Sequence, residues 1–371
     1  MICLVKTGWE RVDSLSARYN WRMDPKLEGK LIVAISSRAL FNLDAAHEVF
    51  ETSGLDRYRT LQVEHEDELL EKGTGFPLVE GLLSINRRVG QELVEVVLVS
   101  RNDADTGLRV MNSVERYDLP ISRAVFTDGR APYGYLDNFS CHLFLSANPH
   151  DVSQALNNGF AAGLVYKPPF PESNTTNDEV RIAFDGDAVL FAPEHEEVYR
   201  REGLEEFHKQ ERESADVPMK PGPFKAFLEA IHGIQKRFVR DQCPIRTALV
   251  TARSAPAHKR AIKTLRSWDV LINESFFMGG VGKDGVLSVF RPHIFFDDQT
   301  NYCQAAAPKL PTAQVRAQDE VQKTSLPVSA PVGEILAEEV TTKPAANGKS
   351  LAKRSASRNG DRPQRRKRAS R

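Results

Sequence analysis

Short apolar runs alternate with longer segments of mixed polarity between Leu31 and Phe296. Six runs are rich in β-branched and aromatic residues, as is typical of strands buried on both faces of a sheet: Leu31–Ile35, Val96–Val99, His142–Leu145, Val180–Phe184, Thr247–Val250 and His293–Phe296. The segments between them predict helices. This alternation predicts an α/β fold with parallel sheets, flanking helices and right-handed crossovers.

The pattern of the first half is repeated in the second. HLFLSA at residues 142–147 matches HIFFDD at 293–298 with an offset of 151, and Ala34-Ile35-Ser36 matches Ala183-Phe184-Asp185 with an offset of 149. We interpret this self-similarity as an internal duplication. It predicts two lobes of the same fold, residues 30–168 and 178–303, after an N-terminal extension at 1–29.

The pattern ends near Gln304, where prolines interrupt a polar stretch with a basic end. From Lys309 onward there are 14 basic and 6 acidic residues, a net charge of +8, although the whole chain has 50 of each. We predict that residues 304–371 are disordered. The rest of the chain is acidic, which argues against nucleic-acid binding outside the basic tail.

The four cysteines are far apart and show neither a disulfide framework nor zinc-ligand spacing. No apolar stretch approaches the ~18 residues of a membrane-spanning helix, and the start lacks the apolar run of a signal peptide. We therefore expect a cytoplasmic protein with no membrane partner.

Carboxylates follow two predicted strands of the second half. Asp185-Gly186-Asp187 comes after the strand at 180–184, and Asp297-Asp298 after the strand at 293–296. Because parallel strands bring their carboxyl ends to one edge of a sheet, these acidic pairs should converge there. Their mutual repulsion is costly unless a cation offsets it, and oxygen ligands suit Mg²⁺.

Two further polar residues lie between these acidic pairs. Thr251 ends a third strand ahead of a helix, and Lys283 lies in the segment GGVGKDG. A hydroxyl and helix N-terminal N–H groups bind phosphate, and a lysine ammonium neutralises both phosphate and a carboxylate nucleophile. These residue types together indicate phosphoryl transfer.

The order DGD, threonine, lysine and DD resembles the four motifs of the haloacid dehalogenase superfamily of phosphatases. More narrowly, DGDAVLF, RPHIFFDDQ and the segment CPIRTALVTARS resemble the cytosolic 5′-nucleotidase I family, as do ISSRALF, EHEDE and LFLSANP in the first half. The resemblance implies haloacid-dehalogenase-like Rossmannoid lobes and Mg²⁺-dependent hydrolysis of AMP- or IMP-like nucleoside 5′-monophosphates. It also implies activation by a nucleoside diphosphate. We further expect a homo-oligomer.

The resemblance also implies a role for each motif residue. Asp185 would attack phosphorus to form an aspartyl-phosphate, and Asp187 would act as general acid and then as general base. Asp185, the backbone carbonyl of Asp187 and the pair Asp297-Asp298 would hold Mg²⁺. The phosphoryl oxygens would be bound by Thr251, Lys283 and the amides of Gly186 and Ala252, with Arg253 forking onto phosphate or ribose.

An insertion between the first two motifs forms a cap over the active site in the superfamily, so residues 192–245 are predicted to form a helical cap. A cap would exclude water and recognise the nucleotide beyond its phosphate. Phe207, Phe224 and Phe227 are the candidates for stacking on the base.

The first half lacks the catalytic residues in the internal alignment. Ser36 replaces Asp185, Arg38 replaces Asp187, Pro132 replaces Lys283 and Ser146-Ala147 replaces Asp297-Asp298, while Ser100 lies opposite Thr251. We predict a non-catalytic lobe. It is either purely structural or binds the effector in a pocket near Ser36, Arg38, Ser100 and Arg101.

Two other functions stay open at this point. One is a phosphatase of the same superfamily acting on another small phosphomonoester. The other is a non-catalytic nucleotide-binding regulatory protein.

Overall fold

The computed structural model describes residues 25–167, 179–193, 201 and 203–316. Most of the predicted N-terminal extension and the tail beyond residue 316 lie outside these residues, as do residues 194–200 and 202 of the predicted cap. The described residues form an α/β fold, as predicted from the alternation of strands and helices.

The described residues of the first half form seven strands and five α-helices. The strands are β1 (Leu31–Ile35), β2 (Phe41–Asn42), β3 (Glu71–Lys72), β4 (Val94–Ser100), β5 (Arg123–Phe126), β6 (Leu143–Ser146) and β7 (Ala162–Val165). The helices are α1 (Ser37–Leu40), α2 (Asp44–Glu64), α3 (Phe76–Val89), α4 (Ala104–Arg116) and α5 (Pro149–Asn157).

The described residues of the second half form five strands and five α-helices. The strands are β8 (Val180–Phe184), β9 (Ile245–Thr251), β10 (Glu274–Phe277), β11 (Ile294–Asp297) and β12 (Thr312–Gln314). The helices are α6 (Leu204–Glu213), α7 (Lys225–Gln235), α8 (His258–Ser267), α9 (Asp284–Phe290) and α10 (Thr300–Ala306). All six strands predicted from the sequence are present, with ends within two residues of the predicted ones.

Ten of the strands form one sheet in the order β10-β9-β8-β11-β12-β7-β6-β1-β4-β5. Neighbours are parallel except β12 and β7, which pair antiparallel through Ala313 and Val165. The expectation of a separate sheet in each lobe is therefore wrong. The physical reason is that β7 and β12 would each leave an unpaired edge, and their pairing satisfies both.

The two halves use the same strand order, because β5-β4-β1-β6-β7 corresponds to β10-β9-β8-β11-β12. Backbone details recur as well, with a positive φ of 80° at Gly54 and 86° at Gly203. His142 Nδ1 accepts a hydrogen bond from a β1 amide at 3.0 Å, and His293 Nδ1 accepts one from a β8 amide at 3.1 Å. The sequence repeat thus coincides with a repeat of topology and conformation.

The ordered chain extends beyond the predicted boundary at Gln304. Helix α10 continues to Ala306, and β12 lies at the centre of the sheet with Leu310 and Val315 buried beside it. The prediction of disorder is therefore wrong for residues 304–316. A few apolar residues suffice there because neighbouring strands already supply most of the core.

Helix α7 belongs to the core and does not form a cap. Phe227, Leu228 and Ile231 on this helix are fully buried, together with Phe184 and Phe296 of the sheet. The predicted cap is thus wrong for α7, because its apolar face is needed to cover the sheet. None of the described helices combines the length and apolar character needed to span a bilayer.

Candidate functional site

The predicted motif residues follow three adjacent strands. In the order β9-β8-β11, the carboxyl ends lead into residues 252–254, 185–187 and 298–299. Asp185 N donates a hydrogen bond of 2.8 Å to the carbonyl of Phe296, which fixes the first and the fourth motif side by side. The parallel register therefore brings these loops to one edge of the sheet.

Three carboxylates meet at this edge. Asp185, Asp297 and Asp298 each offer an oxygen, and these oxygens lie within 4.8 Å of one another. Asp185 and Asp297 are buried, while Asp298 is half-buried. We call these three residues the acidic cluster.

Lys283 lies against the acidic cluster. Its Nζ is 2.7 Å from Oδ1 of Asp185 and 2.7 Å from Oδ2 of Asp297, and its side chain is buried. Burial alone would lower the pKa of Lys283, but the two carboxylates raise it above its usual value. The lysine therefore stays charged and offsets part of the negative charge.

One ammonium does not balance three carboxylates. Burial raises the pKa of Asp185 although Lys283 opposes the rise. Burial, and next the charge of Asp185, raise the pKa of Asp297 to about 7. A hard divalent cation would relieve this repulsion, and an all-oxygen donor set is what such ions prefer. The cluster is thus a candidate metal centre.

The side chain of Asp187 points to a different partner. Its Oδ2 accepts from Arg253 Nε at 2.8 Å, and its Oδ1 accepts from Arg253 Nη2 at 2.6 Å. Arg253 Nη1 donates to Oε2 of Glu211 at 2.8 Å, and Oε1 of Glu211 accepts from Arg260 Nη1 at 3.1 Å. We call these four residues the buried ion-pair chain.

The buried ion-pair chain changes the role predicted for Arg253. The sequence suggested a fork onto phosphate or ribose, but the fork is taken by Asp187 and Glu211. Burial alone would lower the pKa of Arg253, and the two carboxylates raise it above its usual value. In this structure Arg253 thus binds the carboxylate of Asp187.

The predicted phosphate-binding residues line the same edge. Thr251 ends β9, and its Oγ1 accepts from the amide of Arg253 at 3.2 Å. A Cβ added at Gly186 would lie 3.1 Å from Thr251 Oγ1, so only glycine fits there without displacement. Ala252 is half-buried next to Thr251. Because α8 begins only at His258, the nearby amides belong to a loop and not to a helix N-terminus.

The structure separates the three aromatic candidates for base stacking. Phe224 and Phe227 are fully buried against Phe184 and Phe296, so neither can reach a base. Phe207 on α6 is half-buried, and its ring centroid lies 5.6 Å from the guanidinium carbon of Arg253. Of the three candidates, Phe207 is the one beside the site.

In the first half, the position that corresponds to this site is filled by side chains; we call it the filled counterpart. Ser37 replaces Gly186, and its hydroxyl lies 2.7 Å from that of Ser100, while both hydroxyls donate to Asn102 Oδ1. Arg101 forms a two-pronged ion pair with Asp151 at 2.9 and 2.6 Å. The effector pocket predicted near Ser100 and Arg101 is therefore occupied by the protein's own side chains.

A cavity of about 230 Å³ lies beside this filled counterpart. Its charged lining residues are Arg38, Asp44 and Lys167, and Tyr166 also faces it. Asp44 lies 3.6 Å from Arg38 and 3.2 Å from Lys167.

Sequence reasoning missed Glu211, Arg260 and the residues that support the loop carrying Asp298. Gln314 Nε2 donates to the carbonyl of Asp298 at 2.9 Å, and Gln314 Oε1 accepts from Tyr166 Oη at 3.1 Å. Gln314 lies in the stretch predicted to be disordered. Glu211 lies on a polar helix without strand-end spacing, although the internal alignment places it opposite the buried residue Gln62.

Comparisons with known proteins agree with the motifs. Residues 23–322 match the family described as 5′-nucleotidase. Cytosolic 5′-nucleotidase 1B of Homo sapiens is 37% identical over 293 residues, which cover 76% of this chain and 48% of that protein. The chain thus spans about half the length of this curated relative. No solved structure gives a significant match.

Proposed function

Since this chain belongs to the 5′-nucleotidase family, we propose that it is a Mg²⁺-dependent 5′-nucleotidase that hydrolyses AMP- or IMP-like nucleoside 5′-monophosphates to nucleoside and phosphate. The observation that carries the proposal is the acidic cluster with Lys283 in contact. Its carboxylates fit a hard cation, and Asp185 lies at the end of a buried strand with a charged lysine beside it.

The first chemical step would be carried by Asp185 and Asp187. A carboxylate oxygen of Asp185 attacks phosphorus, the bond from phosphorus to the ribose oxygen breaks, and Asp187 gives that oxygen a proton. In the second step a water attacks the aspartyl-phosphate and gives a proton to Asp187. Phosphate leaves and Asp185 is restored.

The remaining residues would bind and orient the phosphate. Lys283, the Thr251 hydroxyl and the amides of Gly186 and Ala252 would contact its oxygens. The carboxylates of the acidic cluster and the backbone carbonyl of Asp187 would hold Mg²⁺. When bound, Mg²⁺ offsets the negative charge of the phosphate and of the transition state.

We propose that the two halves arose by internal duplication and that each has the haloacid-dehalogenase-like Rossmannoid fold. The shared strand order supports this origin. The first half would be non-catalytic, because Ser36, Arg38 and Pro132 stand at the positions of Asp185, Asp187 and Lys283. The part of the predicted cap that would cover the site is α6.

A nucleoside diphosphate effector would bind the first half at the cavity lined by Arg38 and Lys167, because the position near Ser100 is filled. A cytoplasmic location is supported by the cytosolic name of the relative. Homo-oligomerisation stays an expectation. If Arg38→Ala left activation by a nucleoside diphosphate unchanged, the first half would be purely structural.

Phosphate release from AMP tests the proposed chemistry directly. The wild type with Mg²⁺ should be active, whereas chelator or Asp185→Asn should reduce the rate by at least a thousandfold, because no nucleophile or metal centre remains. The first-half counterpart Ser36→Ala should retain wild-type activity. Equal rates for wild type and Asp185→Asn would refute the mechanism.

A panel of substrates decides between the remaining alternatives. Turnover of sugar phosphates at or above the rate for AMP and IMP would favour a phosphatase of another small phosphomonoester. Binding of AMP without phosphate release by any sample would favour the non-catalytic regulatory protein.

A further inference from the structure

Glu211 is a fully buried carboxylate between two arginines. It lies near the end of α6, and each of its oxygens accepts from a different guanidinium, Arg253 at 2.8 Å and Arg260 at 3.1 Å. Burying a carboxylate is costly unless it is paired and hydrogen-bonded. The proposed chemistry assigns no role to this residue.

The geometry of Arg253 links Glu211 to Asp187. Arg253 Nε and Nη2 donate to the two oxygens of Asp187, while Nη1 donates to Glu211. Because a guanidinium is planar, fixing one of its edges also fixes the direction of the other donors. The plane of the Asp187 carboxylate is therefore set by a group that Glu211 holds in place.

Arg260 anchors the far end of this arrangement. Its Nε donates to the carbonyl of Val217 at 2.8 Å, and its Nη1 donates to Glu211. The two arginines and the two carboxylates of the buried ion-pair chain balance in charge. Removing the Glu211 charge would thus leave Arg253 with one carboxylate partner fewer and free to tilt.

The first half has the same positions without the same charges. Gln62 aligns with Glu211 and is buried, and Arg109 aligns with Arg260 and donates to Gln62 Oε1 at 3.4 Å. Asn102 aligns with Arg253, and Arg38 aligns with Asp187. The carboxylates of the chain are present only in the half that has the acidic cluster. The fold does not need these carboxylates, because the first half is built without them. They occur together with the acidic cluster, which supports a role in its chemistry.

We propose that Glu211 is a positioning residue for the general acid: it holds Arg253, and Arg253 in turn fixes the orientation of the Asp187 carboxylate. Helix α6 is thereby coupled to the protonation of the leaving group. This inference rests on the proposed function and names a residue that acts through Arg253 without touching the substrate.

The test compares two leaving groups in the full-length protein with Mg²⁺. A ribose oxygen needs a proton as it departs, whereas p-nitrophenolate is stable without one, so only AMP depends on a well-placed acid. Glu211→Gln keeps the size of the side chain and removes its charge. It should lower kcat/KM, which reports the formation of the aspartyl-phosphate, at least tenfold for AMP and less than threefold for p-nitrophenyl phosphate.

Gln62→Ala is the matched control, because it alters the corresponding buried position in the half without the acidic cluster. It should leave the ratio of the two kcat/KM values as in wild type. If Glu211→Gln fails to fold, Arg260→Gln disturbs the same carboxylate from the other side and should change the ratio in the same direction.

The outcomes separate this inference from the proposed function. If the wild type hydrolyses both substrates and Glu211→Gln lowers kcat/KM equally for both, Glu211 has only a structural role and the inference is overturned. If the wild type hydrolyses neither, the proposed function fails and takes the inference with it.

Discussion

Asp297 is the residue whose surroundings most change its chemistry. It is fully buried, accepts from Lys283 at 2.7 Å and shares its site with Asp185. Burial outweighs the lysine, so the pKa of this carboxyl is raised to about 7. The sequence shows Asp297 only as an acidic residue after a strand. In the structure its carboxyl group has a raised pKa, and metal binding would ionise it fully.

The raised pKa predicts how metal-free protein responds to pH. In the unfolded chain Asp297 ionises near pH 3.8, but in the folded protein it keeps its proton up to about pH 7. Between these values the folded state binds more protons, so the free energy of unfolding falls as pH rises through this window, by ~1.4 kcal/mol per unit of pKa difference.

Urea unfolding at about pH 5 and about pH 7.5 measures this effect. With chelator the wild type should be less stable at the higher pH, and Mg²⁺ should restore stability there because the ionised carboxylates bind it. The stability of Asp297→Asn should depend less on pH and less on Mg²⁺ than that of the wild type. A wild type in chelator that is equally stable at the two values would contradict the assignment.

Residues at strand ends were predictable, and residues that act through others were not. Asp185 and Asp297 follow buried runs, so the rule for parallel sheets places them together before any coordinates are known. Glu211 follows no such rule, because its importance comes from Arg253 and Arg260, which lie more than 40 positions away along the chain.

At the scale of elements, β12 is the least expected part of the fold. It is only three residues long and lies in a stretch rich in proline and polar residues, yet it pairs with both β11 and β7. Helix α7 shows the opposite error, since its apolar spacing was visible but its place in the core was not. Local sequence thus predicted which elements form better than it predicted which surface each one covers.

Strand β12 also supports, through Gln314, the loop that carries Asp298. The side-chain amide of Gln314 donates to the carbonyl of Asp298 and to the hydroxyl of Thr300, both at 2.9 Å. Gln314→Leu should raise the Mg²⁺ concentration for half-maximal activity roughly tenfold, because the loop loses both donors.

Tyr166→Phe serves as the graded control, since it removes one hydrogen bond to Gln314 and leaves both of these donors in place. Its effect on the Mg²⁺ requirement should be clearly smaller, in line with about 1 kcal/mol for one hydrogen bond. Activity assays over a range of Mg²⁺ concentrations measure both variants. An unchanged requirement in Gln314→Leu would show that the loop holds its shape without these two hydrogen bonds.

At the scale of the whole molecule, the continuous sheet makes the two halves one structural unit. Strand β12 comes from the second half and β7 from the first, and their antiparallel pairing is the junction of the sheet. The repeat was visible in the sequence, but the junction was not, because no repeated motif encodes the contact between the copies. The first half should therefore be needed for the stability of the second.

This dependence predicts a sharp difference between two truncations. A chain ending after Arg316 keeps β12 and should be folded, active on AMP and unfold in one cooperative transition. A chain ending after Lys309 loses β12, which exposes the edges of β7 and β11 in the middle of the sheet and removes the buried residues Leu310 and Val315. Unpaired edges of this kind promote aggregation.

Size-exclusion chromatography, thermal unfolding and phosphate release compare the two chains. The shorter chain should be aggregated or unfolded and inactive, because neither half can complete its side of the sheet. If it instead stayed monodisperse and hydrolysed AMP at the rate of the longer chain, the halves would be independent units. The first half could then influence the candidate site only by binding a ligand, because the second half would be stable without it.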